Sequence, residues 1–213
     1  MSEIKLGKIA IIGGTGKAGR SLVNQIVKKE YPLRILVRNP EKLKISGKQI
    51  EVIKGDARSI ESIQTLLEGC DAVLSTLGQP NGEAPVFSTA TSNILSTMKE
   101  KGIKRYVLVT GIGVNVPGDK KGLKGKLTSK MMKWMSPAIM SDKQKEYEIL
   151  TKSDREWTLV RLPLIVEGPS IGDVKVNLEH SLGTKISSMD LADFLINQIA
   201  DTKNVRKAPF ISN

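Results

Sequence analysis

Short apolar runs alternate along this chain with longer stretches in which apolar residues return every three or four positions. The runs Lys8–Ile12, Leu33–Val37, Glu51–Lys54, Ala72–Thr76, Lys104–Thr110 and Thr158–Arg161 read as strands, with a short one at Pro209–Ser212. Helical spacing falls on Ala18–Lys29, Ser59–Glu68, Val86–Lys101, Asp142–Ser153 and Met189–Asp201. Asp142 and Ser188 are expected N-caps, and Gly102 a left-handed stop. This rhythm predicts one α/β domain over residues 1–213, built on a doubly wound parallel sheet with strand order 3-2-1-4-5-6. Ligands of such sheets lie across the carboxyl ends of the strands, where the order reverses.

One segment breaks the rhythm. Residues 111–140, GIGVNVPGDKKGLKGKLTSKMMKWMSPAIM, follow the fifth strand as a basic, methionine-rich insertion. Lys120, Lys121, Lys124, Lys126, Lys130 and Lys133 accompany Leu127, Met131, Trp134 and Met135, which share one helical stripe. Three readings stand open: a substrate lid, a surface helix whose stripe joins the core, or a basic patch for a partner or anionic lipid.

The first strand delivers the chain into Gly13-Gly14-Thr15-Gly16-Lys17-Ala18-Gly19 and then an amphipathic helix. Strand, glycine turn and helix N-terminus make the phosphate-binding corner of a Rossmann-like dinucleotide fold. Gly13 permits the turn, Gly16 lets a pyrophosphate approach the backbone, and Gly19 lets helix and strand pack closely. The second strand ends at Arg38, with Lys42 one turn later, where NAD-preferring folds carry an acidic residue. A guanidinium there stacks on adenine and pairs with a 2′-phosphate, so NADPH is expected over NADH. Asp56, after the third strand, is read equally as an adenine ligand or a helix N-cap, a role open to Ser59 as well. The fourth strand ends in Leu77-Gly78-Gln79, where a glycine lets a ribose pass close to the backbone.

Composition narrows the classes. The 213 residues are 39% hydrophobic, enough for a real core, and no apolar run reaches the about 18 residues that suggest a membrane span. The start, MSEIKLGKIAII, lacks a signal-peptide layout, and the one cysteine, Cys70, excludes an internal disulfide. Cys70 is expected as a small buried hydrophobe in a reducing cytoplasm. The net charge of +11 suits an anionic cofactor and substrate. With three Tyr, three Phe and two Trp, base-stacking platforms are scarce, so nucleic acid is not favoured. The only histidine, His180, has no nucleophile motif beside it and reads as a surface or loop residue. No cluster has metal spacing, and Asp190 and Asp193 are expected to cap or solvate a C-terminal helix.

GGTGKAG, LVRNPEKL, KGDARS, DAVLSTLG, KRYVLVTGIG and EWTLVRLP together resemble the atypical short-chain dehydrogenase/reductases. The likeness runs from Lys8 to Ile199 and is strongest to biliverdin-IXβ reductase/flavin reductase, NmrA-like regulators and bacterial NADH-flavin reductases. It implies that Thr15, Gly16, Lys17 and Ala18 hold a pyrophosphate, Arg38 a 2′-phosphate, and Asp56 and Ala57 the adenine. Leu77, Gly78 and Gln79 would line the cofactor's middle, and Leu162, Pro163 and Leu164 would flank the nicotinamide.

The family's Tyr-x-x-x-Lys proton relay departs from this pattern. Its lysine falls on Lys143, but its tyrosine falls on Ile139, and Tyr147 follows Lys143 in reversed order and reads as packing. The catalytic Ser or Thr falls on Thr110 or Gly111. Lys143 is read equally as a ribose contact or a solvated helix residue. The implied activity is an NADPH-dependent reductase of a flavin-like or other planar, anionic small molecule, with hydride passing directly to the acceptor. The alternative is a non-catalytic NADP(H) sensor acting on a protein partner. An epimerase or carbonyl reductase fits less well, because both need the relay. Oligomeric state is left open.

Overall fold

The computed structural model describes residues 7–43, 45, 47–120, 122 and 136–213. The chain runs β1 (Ile9–Ile12), α1 (Lys17–Lys28), β2 (Leu33–Val37), β3 (Ile50–Lys54), α2 (Ile60–Leu66) and β4 (Ala72–Ser75). It continues through α3 (Phe87–Glu100), β5 (Arg105–Gly111), α4 (Pro137–Lys152) and β6 (Glu156–Leu162). The final part holds β7 (Leu164–Val166), β8 (Lys175–Asn177), β9 (Lys185–Ser187), α5 (Ser188–Asn197) and β10 (Phe210–Ser212).

β1 is buried along its whole length, and its neighbours β2 and β4 pair with it in parallel. Its side chains alternate between two cores, Ile9 and Ile11 on one face and Ala10 and Ile12 on the other. A strand covered on both faces must be apolar at every position, which is why IAII carries no polar alternation. On one face α1 and α5 pack together through Leu22, Ile26, Leu191 and Leu195. On the other, α2, α3 and α4 cover Tyr106, Leu108 and Trp157. The main sheet has the order β3-β2-β1-β4-β5-β6-β10-β8, so the expected 3-2-1-4-5-6 core is present. β10 extends it in parallel beside β6, and β8 closes that edge antiparallel. β7 and β9 pair separately. These three-residue strands are too short for their alternation to stand out in sequence.

Two expected caps move. α4 begins at Pro137 rather than at a cap on Asp142; proline suits a first helical turn, because its missing N–H has no partner there to lose. Asp142 caps a different helix. Val86, at the N-cap of α3, has no acceptor side chain, and the Asp142 carboxylate accepts the N–H groups of Phe87 (2.8 Å) and Ser88 (3.2 Å) and the Ser88 hydroxyl. α5 is capped by Ser187 rather than Ser188, through a 3.2 Å bond from Met189 N–H. Gly102 has φ 72° just after α3, the left-handed conformation expected of it.

Asp190 neither caps nor solvates its helix. It is 4% exposed and accepts from Ile171 N–H (2.8 Å), Gly172 N–H (3.2 Å), the Ser170 hydroxyl and Asn213 Nδ2 (3.0 Å), tying a loop to the last strand. Asp193 accepts from Gln25 on α1 (3.1 Å). His180 is half-buried in a loop held by Asn177. Cys70 is buried, and burial pushes its thiol up to about 11, so it is no reactive thiolate.

Arg161, wholly buried on β6, gathers the far end of the sheet. It pairs with Asp119 (2.6 Å), donates to Ala208 O (2.8 Å) and Leu178 O (3.0 Å), and stacks 3.6 Å from the Phe210 ring. The described part of the insertion is folded against this region: Val114 is buried, Gln144 brackets the Asn115 backbone, and Lys120 pairs with Glu179 at 2.8 Å. Lys121, Lys124, Lys126, Leu127, Lys130, Met131, Lys133, Trp134 and Met135 lie outside the described residues. Among the described residues no helix is long and apolar enough to cross a membrane.

Candidate functional site

The turn between β1 and α1 is fixed by two of its glycines. Gly13 has φ 80°, and a Cβ there would stand 2.6 Å from the Thr76 carbonyl. At Gly19 a Cβ would meet the Gly13 backbone oxygen at 2.1 Å, so α1 packs this closely on the turn only because Gly19 carries no side chain. Gly16 differs. Its φ is −77° and its nearest neighbour would be 3.5 Å away, so neither strain nor packing of the protein requires glycine. The space a Cβ would take opens onto a cleft, as a site for an approaching ligand needs. α1 starts at Gly16 with no side-chain cap and no acidic residue in its first turn, which leaves its N–H groups and the positive end of its dipole available to an anion.

That cleft, about 250 Å³, lies at the carboxyl ends of the strands where the order reverses between β1 and β4. Of the residues singled out from the sequence it is lined by Gly13, Thr15, Gly16, Arg38, Asp56, Ala57, Leu77, Gly78 and Gln79. Ser59 caps α2, accepting from Ser62 N–H at 3.1 Å, which leaves Asp56 free of that duty; its carboxylate accepts from Arg58 N–H (2.8 Å) and borders the cleft. Gln79 spends its amide N–H groups on the carbonyls of Pro80, Glu83 and Ala84, while its Oε1 is buried without a partner. A buried orphan acceptor on a cleft wall fits a ligand hydroxyl or amino group.

Arg38 and Arg58 converge at one end. Arg38 Nη1 lies 2.6 Å from Glu83, and Arg58 Nη1 lies 2.9 Å from the other oxygen of the same carboxylate. Arg58 also reaches Asp56 (3.4 Å) and the Ala84 carbonyl (2.8 Å). The two guanidiniums hold Glu83 below the usual carboxylate range. Sequence reading missed Arg58 and Glu83, because the loop carrying Glu83 has no periodicity and only the fold brings it to the end of β2.

Thr110 and Lys143 meet. Lys143 Nζ is 3.4 Å from Thr110 Oγ1 and 3.9 Å above the ring of Phe87, whose neighbour Val86 lines the cleft. Desolvation lowers the lysine's pKa against the pull of Glu146 and Asp142, so Lys143 is not the solvated residue of one reading. Glu146, one turn on, is 4% exposed and accepts from Thr91 Oγ1 (2.9 Å), while its Oε2 has no partner. Burial pushes its carboxyl up to about 7. Nothing in the sequence distinguishes Glu146 from its exposed neighbour Glu148. No tyrosine takes the relay place: Ile139 packs on the core, Tyr106 is fully buried, and Tyr147 stands edge-on to Trp157 at 6.2 Å.

Other singled-out residues lie off the cleft wall. Lys17 opens onto a second, shallower hollow with Arg20 and Ser188, and Ala18 is buried beneath the first turn of α1. Leu162, in register with Gly111, is buried at the carboxyl end of β6; Pro163 follows it, and Leu164 is 68% exposed at the start of β7. The side chain of Lys42 lies outside the described residues. Among the described residues no group of three or more His, Cys, Asp or Glu is placed to hold a metal.

The chain is similar to known proteins over this framework. An uncharacterized chloroplastic protein of Arabidopsis thaliana is 24% identical over 209 residues, covering 89% of this chain and 70% of that one. An isoflavone reductase homologue (A622-like) of Nicotiana tabacum is 34% identical over 110 residues, 47% of this chain and 34% of the relative, so the match spans about a third of that protein. Among solved structures, an anaerobillin reductase from Escherichia coli O157:H7 superposes with a TM-score of 0.77 at 17% identity, covering 96% of each chain. An oxidoreductase from Lactococcus lactis does so with 0.77 at 18% identity, over 97% of this chain and 90% of that one. At these identities the structures show a shared fold. The NAD(P)H-binding family model matches residues 13–202, from the first glycine of the turn after β1 to beyond α5, and the chain belongs to that NAD(P)H-binding family.

Proposed function

We propose that this protein is an NADPH-dependent reductase of a planar, conjugated small molecule such as a flavin or bilin. The observation that carries the reading is the join of two features at the carboxyl end of the sheet: a cleft on the glycine turn and, beside its Val86 wall, a Lys143–Thr110 pair without a relay tyrosine. The pyrophosphate would lie beside Thr15 and Gly16 on the N–H groups of Lys17 and Ala18. Asp56 and Ala57 would border the adenine, Arg38 the 2′-phosphate, Gln79 Oε1 a ribose hydroxyl, and Leu162–Leu164 the nicotinamide end. When bound, the nicotinamide supplies the hydride. The chain's part is to hold donor and acceptor face to face and, through the Lys143 ammonium on Thr110, to offset negative charge growing on the acceptor. The lowered pKa of Lys143 also makes its ammonium a stronger acid than an exposed lysine's. Thr110 would orient that ammonium. An anionic acceptor suits the net charge of +11, and a reducing, cytoplasm-like compartment suits the buried thiol of Cys70.

The test is to mix the protein with NADPH and, in turn, FMN, biliverdin and a quinone, following loss of the nicotinamide absorbance. Turnover with at least one planar acceptor is expected. NADPH binding without turnover on any of them would replace this reading with the NADP(H) sensor.

A further inference from the structure

Arg38 and Arg58 come from the ends of two strands, yet their guanidiniums are bridged by one carboxylate, Glu83, from a third place in the chain. Both Glu83 oxygens are used, one on each arginine. Around it the loop is fastened to the cleft by Gln79 Nε2 on the Glu83 and Ala84 carbonyls (2.9 and 3.2 Å) and by Arg58 on Ala84 O (2.8 Å). Gly82, with φ 72°, makes the bend that turns Glu83 inward. The cluster's charges cancel: two guanidiniums against Asp56 and Glu83. A phosphate monoester brings about −1.5 to −2 charges at neutral pH, so a phosphate entering with Glu83 seated would find no surplus positive charge among these four described side chains.

From this geometry we infer that Glu83 occupies the seat of the cofactor's 2′-phosphate, and that Arg38 and Arg58 together exchange its carboxylate for that phosphate. The inference rests on the NADPH reading above and adds to it a second phosphate ligand, Arg58, and a built-in competitor, Glu83. NADH leaves Glu83 on both arginines and the loop fastened. NADPH must displace it, so part of the affinity gained from the phosphate is spent breaking two charge-assisted hydrogen bonds. The chain's discrimination between the two cofactors is therefore smaller than two arginines alone would give.

The experiment is calorimetric titration of NADP⁺ and NAD⁺ into wild type, Glu83→Gln and Arg58→Gln. Glu83→Gln should tighten NADP⁺ about tenfold and move NAD⁺ less than about twofold, an advantage that shrinks as salt is raised. Arg58→Gln should weaken NADP⁺ about tenfold and NAD⁺ less than about threefold. Equal factors for the two nucleotides in either variant, or no change in either, would overturn the exchange while leaving the cofactor site standing. Failure of wild type to bind either nucleotide would overturn the cofactor reading, and the exchange with it.

Discussion

Three glycines within seven residues do different work, and substitution separates them. Gly19→Ala puts a methyl 2.1 Å from a backbone oxygen that cannot rotate away, and should cost about 2–3 kcal/mol, read as a lower denaturant midpoint at unchanged slope. Gly16→Ala meets nothing closer than 3.5 Å inside the protein. Its stability should stay within about 0.5 kcal/mol of wild type while nucleotide affinity falls at least about tenfold. A loss of stability without a loss of binding would show that Gly16 serves the fold instead. The roles of Gly13 and Gly19 were legible in the sequence because a strand–turn–helix junction leaves little choice at those places. Arg58 and Glu83 were not legible, since their partnership exists only after three separate chain segments converge.

Between elements, α4 bears on α3 and β5 through three residues on two successive turns, Asp142, Lys143 and Glu146. Asp142→Ala removes the acceptor for two N–H groups at the start of α3 and should cost about 1–2 kcal/mol. Sequence had marked Asp142 as a cap but assigned it to its own helix, because a local pattern carries no information about a neighbour's orphan N–H groups. Glu146 gives the same helix a pH response. Its carboxyl is raised from the ordinary 4.5 to about 7, so the folded state holds the proton more tightly than the unfolded chain. That contribution is complete below about pH 4.5 and is lost as pH rises through about 7. Glu146→Gln should remove the decline between those values, as seen in melting temperature against pH. An unchanged profile would mean that Glu146 ionises without cost. Lys143→Met, which keeps the length but removes the charge beside Thr110, should cut kcat for a planar acceptor about 10- to 100-fold with KM for NADPH little changed.

At the scale of the molecule, the apolar pattern specified the doubly wound core and its order, since the buried parallel strands are nearly continuous apolar runs, broken in β2 by Arg34 and ended in β4 by Ser75. The last strand was legible too, at Pro209–Ser212, but β7, β8 and β9 were hidden for the opposite reason: they are three residues each, and Arg161 and Asp190 gather the chain around them. β10 occupies an interior lane of the sheet, between β6 and β8, although it is drawn from residues 210–212. On a ribosome, β6 and β8 are therefore synthesised long before the strand that joins them, and Arg161 waits with its Phe210 and Ala208 partners still in the exit tunnel. The dinucleotide half can assemble first, while the edge that carries Leu162 and the start of the insertion stays open until synthesis passes Ser212. A chain cut after Lys207 should leave β6 as an unpaired, adhesive edge, detected as aggregation at concentrations where the whole chain stays monodisperse.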